Sequence, residues 1–118
     1  MMKKTLATTL LLTASCLSVS AFAACEQPSM VSIPDGKTST MDELLTVQTS
    51  VKAYMAEMED YLACVNEELE AGGDDAPAQF KALMVTRHNA AVTEMETVAA
   101  TFNEQVAAYK AANEAPSE

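Results

Sequence analysis

From Met41 to Tyr109 the apolar residues return every third or fourth position, and the pattern breaks once, at Gly72-Gly73-Asp74-Asp75-Ala76-Pro77. That spacing puts side chains on one face of an α-helix, because one turn takes about 3.6 residues. The first run is Met41, Leu44, Gln48, Val51, Met55, Met58, Leu62, Val65 and Leu69, a heptad seam of coiled-coil type in which Gln48 is the polar member. Val47, Tyr54 and Tyr61 flank it and widen the stripe. The second run is Met84, His88, Ala91, Met95, Val98, Phe102, Gln105 and Tyr109, widened by Val85, Val92, Ala99 and Val106. Thr40 with Glu43 three residues on has the form of a capping box, so the first helix is predicted over about 41–71, stopped by Gly72-Gly73. Pro77 suits a first helical turn, and the second helix is predicted over about 77–112. Long helices joined by so short a loop must run antiparallel. The fold class is therefore all-α, an antiparallel two-helix hairpin over residues 40–112. Closing it about Gly73–Asp75 sets Leu62 near His88, Met58 near Ala91 and Met55 near Met95. It also sets Gln48 near Gln105, a polar pair that would fix the register.

Residues 24–39 have no helical period. Pro34-Asp35-Gly36 is a turn signal, proline presetting φ and glycine tolerating positive φ. Met30, Val31 and Ile33 give the preceding stretch an apolar side, so an extended segment lying on a helix is expected. A bare two-helix hairpin buries little apolar surface. The segment could cover one side, two hairpins could pair, or a partner protein could supply the missing face. Residues 113–118, with Pro116 and little to pack, are expected to be a disordered tail.

The first residues have the three parts of a secretory leader: basic Met1-Met2-Lys3-Lys4, an uncharged apolar stretch from Leu6 to Val19, and the small-residue site Ala21-Phe22-Ala23. The apolar stretch is shorter than the roughly 20 residues of a membrane-spanning helix. Residues 1–23 are expected to be a cleaved signal peptide, and the destination the bacterial periplasm or the exterior. Phe22-Ala23-Ala24-Cys25 also has the outline of a lipobox, which would make Cys25 a lipidated first residue. Phe22 stands where that pattern has leucine, and lipidation would leave Cys64 a lone thiol in an oxidising compartment. A Cys25–Cys64 disulfide is expected in place of a lipid anchor. The chain from Thr40 to Cys64 spans about 36 Å of helix, and the residues from Cys25 to Thr40 can stretch to roughly 50 Å, so the segment can turn back and reach.

The chain from Ala24 on carries five basic side chains (Lys37, Lys52, Lys81, Arg87, Lys110) against seventeen acidic ones, a net charge of −12. This acidic protein repels nucleic acid and anionic lipid, and its scattered lysines form no basic stripe. One histidine on a narrow hairpin offers no catalytic constellation, and the carboxylates lie on solvated faces. Asp74-Asp75 lacks the alternating ligand spacing of a calcium loop. No catalytic residue, cofactor or resident metal is expected, and the protein is read as non-enzymatic, acting on an unknown protein partner or as a homodimer. The alternative is a periplasmic copper protein. Met55, Met58, His88 and Met95 fall within a few turns of one another, and thioether with imidazole suits copper(I). Each of those methionines also fits the seam as an ordinary core residue.

Taken together, Cys25, Ile33-Pro34-Asp35-Gly36-Lys37-Thr38, Val51-Lys52, Tyr54, Tyr61-Leu62, Cys64 and Phe102-Asn103-Glu104-Gln105 resemble a group of small secreted proteobacterial proteins of unknown function. The resemblance covers most of the chain after the leader. It implies the cysteine pair and the helical hairpin, and brings no activity. A second comparison is with the small helical chaperones of the envelope-stress type, which carry paired L-T-x-x-Q motifs. Leu45-Thr46-Val47-Gln48 is one residue short of that motif and occurs once.

Overall fold

The computed structural model describes residues 25–114. The expected leader over 1–23 and the last four residues of the expected tail lie outside the described residues. Two helices account for most of what is described: α1 over Met41–Gly72 and α2 over Ala78–Asn113. They pack against each other as an antiparallel hairpin. Among the described residues no helix is long and apolar enough to cross a membrane.

The ends of α1 follow from local chemistry. Thr40 is its N-cap, and both halves of the capping box form: Glu43 N–H donates to Thr40 Oγ1 at 3.2 Å, and Thr40 N–H donates to Glu43 Oε2 at 2.7 Å. Asp42 and Glu43 in the first turn also suit the positive end of the helix dipole. Gly73 closes the helix at φ 67°, a conformation that costs a side chain strain, and its N–H donates back to Glu70 at 3.1 Å.

Pro77 sits one position earlier than expected, as the residue before α2, where its carbonyl accepts from Phe80 and Lys81. No side chain caps α2, so neither Asp74 nor Asp75 acts as a helix-start residue. The loop is tied instead by the Lys81 ammonium, which donates to the Asp74 carbonyl at 2.8 Å. The C-terminal boundary moves the other way. Asn113, placed by its sequence in the tail, is helical, and its side-chain amide donates to Tyr109 O at 2.8 Å.

The core contains Val51, Tyr54, Met58, Tyr61 and Val65 from α1 with Met84, Ala91 and Val98 from α2. Val51, Met58 and Val65 are one heptad apart, as are Met84, Ala91 and Val98, which is the seam the spacing predicted. Met58 and Ala91 are both fully enclosed, consistent with the expected register. The other half of the predicted α1 seam differs. Met41 is about half exposed, Gln48 is exposed, and Met55, Leu62 and Leu69 are half-buried at the edge. Tyr54 and Tyr61, expected only to widen the stripe, are in the core at 2% and 6% exposure. The buried stripe has rotated to one side because a third layer lies there.

That layer is the N-terminal segment. Cys25 is bonded to Cys64 of α1 across 39 residues of sequence, with the two Cα atoms 5.7 Å apart. From there the segment runs antiparallel to α1 and touches both helices. Gln27 Nε2 donates to Glu94 of α2 at 2.6 Å, and Gly36 N–H donates to Gln105 Oε1 of α2 at 2.8 Å. Cys25, Val31 and Ile33 pack on the core, while Met30 points out at 66% exposure. Alternate residues of an extended chain face opposite ways, so Val31 and Ile33 turn inward together and Met30 cannot join them.

The turn that returns the chain to α1 is organised by Asp35. Its carboxylate accepts from Lys37 N–H at 2.9 Å, and its carbonyl accepts from Ser39 Oγ at 2.7 Å.

Candidate functional site

The three layers meet at one carboxylate. Glu94 lies on the segment side of α2, one turn from Ala91 and Val98. Its Oε1 accepts from the Tyr54 hydroxyl at 2.5 Å and its Oε2 from Gln27 Nε2 at 2.6 Å. A charged acceptor shortens and strengthens such bonds. Burial first, and then the hydrogen bond and negative charge of Glu94, push the Tyr54 hydroxyl well above the usual tyrosine range. Tyr54 therefore stays a donor across the physiological pH range. Sequence reasoning missed both Glu94 and Gln27. The available signal was a carboxylate at a flank position of α2, opposite a tyrosine at the equivalent flank of α1.

Gln48 and Gln105 do not pair. Gln105 is half-buried with its side-chain oxygen on the Gly36 amide, and Gln48 is exposed. The symmetric roles expected of them fail because the segment occupies one side of the hairpin only.

The four residues of the copper alternative are distributed as follows. Met58 is fully enclosed in the core, Met55 and Met95 are half-buried against it, and His88 is half-buried. The Tyr54–Glu94 bond brings Met55 and Met95 to the same level of the hairpin. His88 is seven residues from Met95 along α2, about 10 Å at 1.5 Å per residue. Its Nδ1 is buried without a hydrogen-bond partner.

Among the described residues one other group of donors converges: Cys25 Sγ, Cys64 Sγ and a Glu68 carboxylate oxygen lie within 4.8 Å of one another. Both sulfurs are engaged in the disulfide, which leaves the Glu68 carboxylate as the sole anionic donor of the three.

The two faces of the hairpin are unlike. Cys64, Glu94 and Gln105, which receive the segment, lie on one side. Stepping about 100° per residue from the buried stripe puts Met41, Leu45 and Met55 of α1 on the opposite side, with Val85, Val92 and Val106 of α2. There Met41, Leu45 and Val85 are each about half exposed. At the open end of the hairpin this face becomes a groove lined by Leu44, Leu45, Gln48, Phe102, Val106 and Lys110. No family model, curated protein or solved structure matches this chain.

Proposed function

We propose that this chain is a small, non-enzymatic helical protein of the periplasm or the exterior that works by protein–protein contact. The observation that carries the reading is the difference between the two faces. The segment and a disulfide close one, while Met41, Leu45 and Val85 remain half exposed on the other. Three of the five exposed large apolar side chains lie on this one unpaired face, Met30 and Leu83 lying elsewhere, and such a face marks an interaction surface. The leader-like residues 1–23 and the disulfide support an extracytoplasmic address.

The test is crosslinking of the native protein in intact envelopes, followed by ultracentrifugation of the purified chain. Crosslinked species that map to the α1–α2 face opposite Cys64 are expected. An inert monomer in both measurements overturns the reading.

The His88 Nδ1 atom, buried without a hydrogen-bond partner, favours one second reading, a copper(I) site. Titration with copper(I) under a competing chelator decides it. The wild type must bind more tightly than a His88→Ala, Met95→Leu variant, and equal affinity removes the site.

A further inference from the structure

The uncovered face differs from the rest of the surface in charge as well as polarity. Along its two edges lie Lys52, Glu59 and Glu70 of α1 and Lys81, Glu96 and Lys110 of α2. Three cations and three anions leave this face neutral. The described residues elsewhere carry Lys37 and Arg87 against thirteen carboxylates. The acidic charge of the protein has been sorted away from its exposed apolar stripe.

We propose that the occupant of this face is a second copy of the chain, so that two hairpins close a four-helix bundle with their disulfide-bound segments outermost. Charge decides between candidates. A strongly basic partner would gain little from a face that already carries three lysines, and its complement lies on the other side of the molecule. A second copy brings a face equally apolar and equally neutral, and keeps both acidic surfaces turned outward. The edges are also self-complementary. A two-fold axis perpendicular to α1, lying between the two copies level with Met55, sets Lys52 of one copy beside Glu59 of the other, and the reverse. Area agrees. Helices of this length present about 45 Å at 1.5 Å per residue, and two of them 8–10 Å apart form a face about 18 Å wide. Each copy would bury roughly 800 Å², the amount found in standard stable interfaces. The half-exposed Met41, Leu45 and Val85 then become interior residues of the bundle.

This inference rests on the contact reading above, and the experiment separates the two. Sedimentation equilibrium of the oxidised chain from Ala24 onward, across a concentration series, is expected to give twice the chain mass. Leu45→Glu with Val85→Glu places charge on the face at two positions that contribute little to the monomer core. It is expected to weaken self-association at least ~100-fold while helix content and the disulfide are retained. Met30→Glu with Leu83→Glu, exposed apolar residues away from this face, should leave association unchanged. A dimer that survives Leu45→Glu/Val85→Glu overturns the assignment of the face. A wild-type monomer whose envelope crosslinks to another protein vanish in that variant overturns the second copy and leaves the contact reading standing. A monomer without crosslinks overturns both.

Discussion

Gly36 rests directly on the main chain of α2 at Gln105. A Cβ built on Gly36 would fall inside the Gln105 carbonyl oxygen, 2.7 Å from its carbon and 3.0 Å from Tyr109 N. The φ of Gly36 is not positive, so what the position demands is space and not a left-handed backbone. This contact lets the segment settle into the groove, brings its amide onto Gln105 Oε1, and aims the chain at Thr40.

Gly36→Ala should therefore cost about 2–3 kcal/mol, since neither helix backbone nor turn can yield by the distance needed. For a domain of this size the melting temperature of the oxidised protein falls by roughly 10–20 °C. Thermal circular dichroism measures it. A melting point within about 2 °C of wild type would show that the segment is not seated on α2.

The two seam glutamines, alike on paper, should separate cleanly. Gln105→Leu removes the acceptor of a part-buried amide and is expected to cost about 1–2 kcal/mol. In the single hairpin Gln48→Leu changes an exposed side chain, and at concentrations where the chain is monomeric it should stay within about 0.5 kcal/mol. Urea unfolding of the two variants gives both values. Equal costs would restore the paired role that the heptad pattern suggested.

The hairpin was legible because its determinants are local: the three-and-four spacing, the Thr40–Glu43 cap and the Gly72-Gly73 stop each act within a turn or two. The disulfide was legible because, with Cys16 in the expected leader, two cysteines remain. What escaped depends on the segment, a long-range contact. Tyr54 and Tyr61 entered the core only because something covers that side, and Gln48 was left out for the same reason. Met30 was misplaced by treating Met30, Val31 and Ile33 as a block, although the alternation of an extended strand separates them. Glu94 was counted among solvated carboxylates because its partners, Tyr54 and Gln27, come from two other elements.

The Tyr54 hydroxyl gives the fold a signature at high pH. Its pKa is raised in the folded state, so the folded form holds its proton where the unfolded chain, with the usual value near 10, has lost it. The contribution is fully present below about pH 10 and is lost as pH rises beyond it, by up to ~1.4 kcal/mol per pH unit. Tyr54→Phe cannot titrate. Its melting temperature should be lower than wild type at pH 7, by the loss of a bond worth about 1–2 kcal/mol, and should fall less steeply between pH 9.5 and 11. Parallel slopes for the two proteins would show that Tyr54 is not held against Glu94.

The disulfide closes a loop of 39 residues, and the chain-entropy account gives it about 4 kcal/mol, a large share of the stability of a domain this small. Its structural effect should be uneven. Reduction, or Cys25→Ala with Cys64→Ala, frees the end of the segment beside Cys64, while Gly36 still holds the other end at Gln105. Hydrogen exchange should therefore rise first in α1 around Tyr61, and last at the amides of Gly36 and Thr38. The melting temperature should drop by more than 10 °C, at the 4–8 °C per kcal/mol of such domains. A reduced protein that melts where the oxidised one does, with the segment still protected, would show that packing of Val31 and Ile33 alone holds it and that the sulfur bridge is not the clasp.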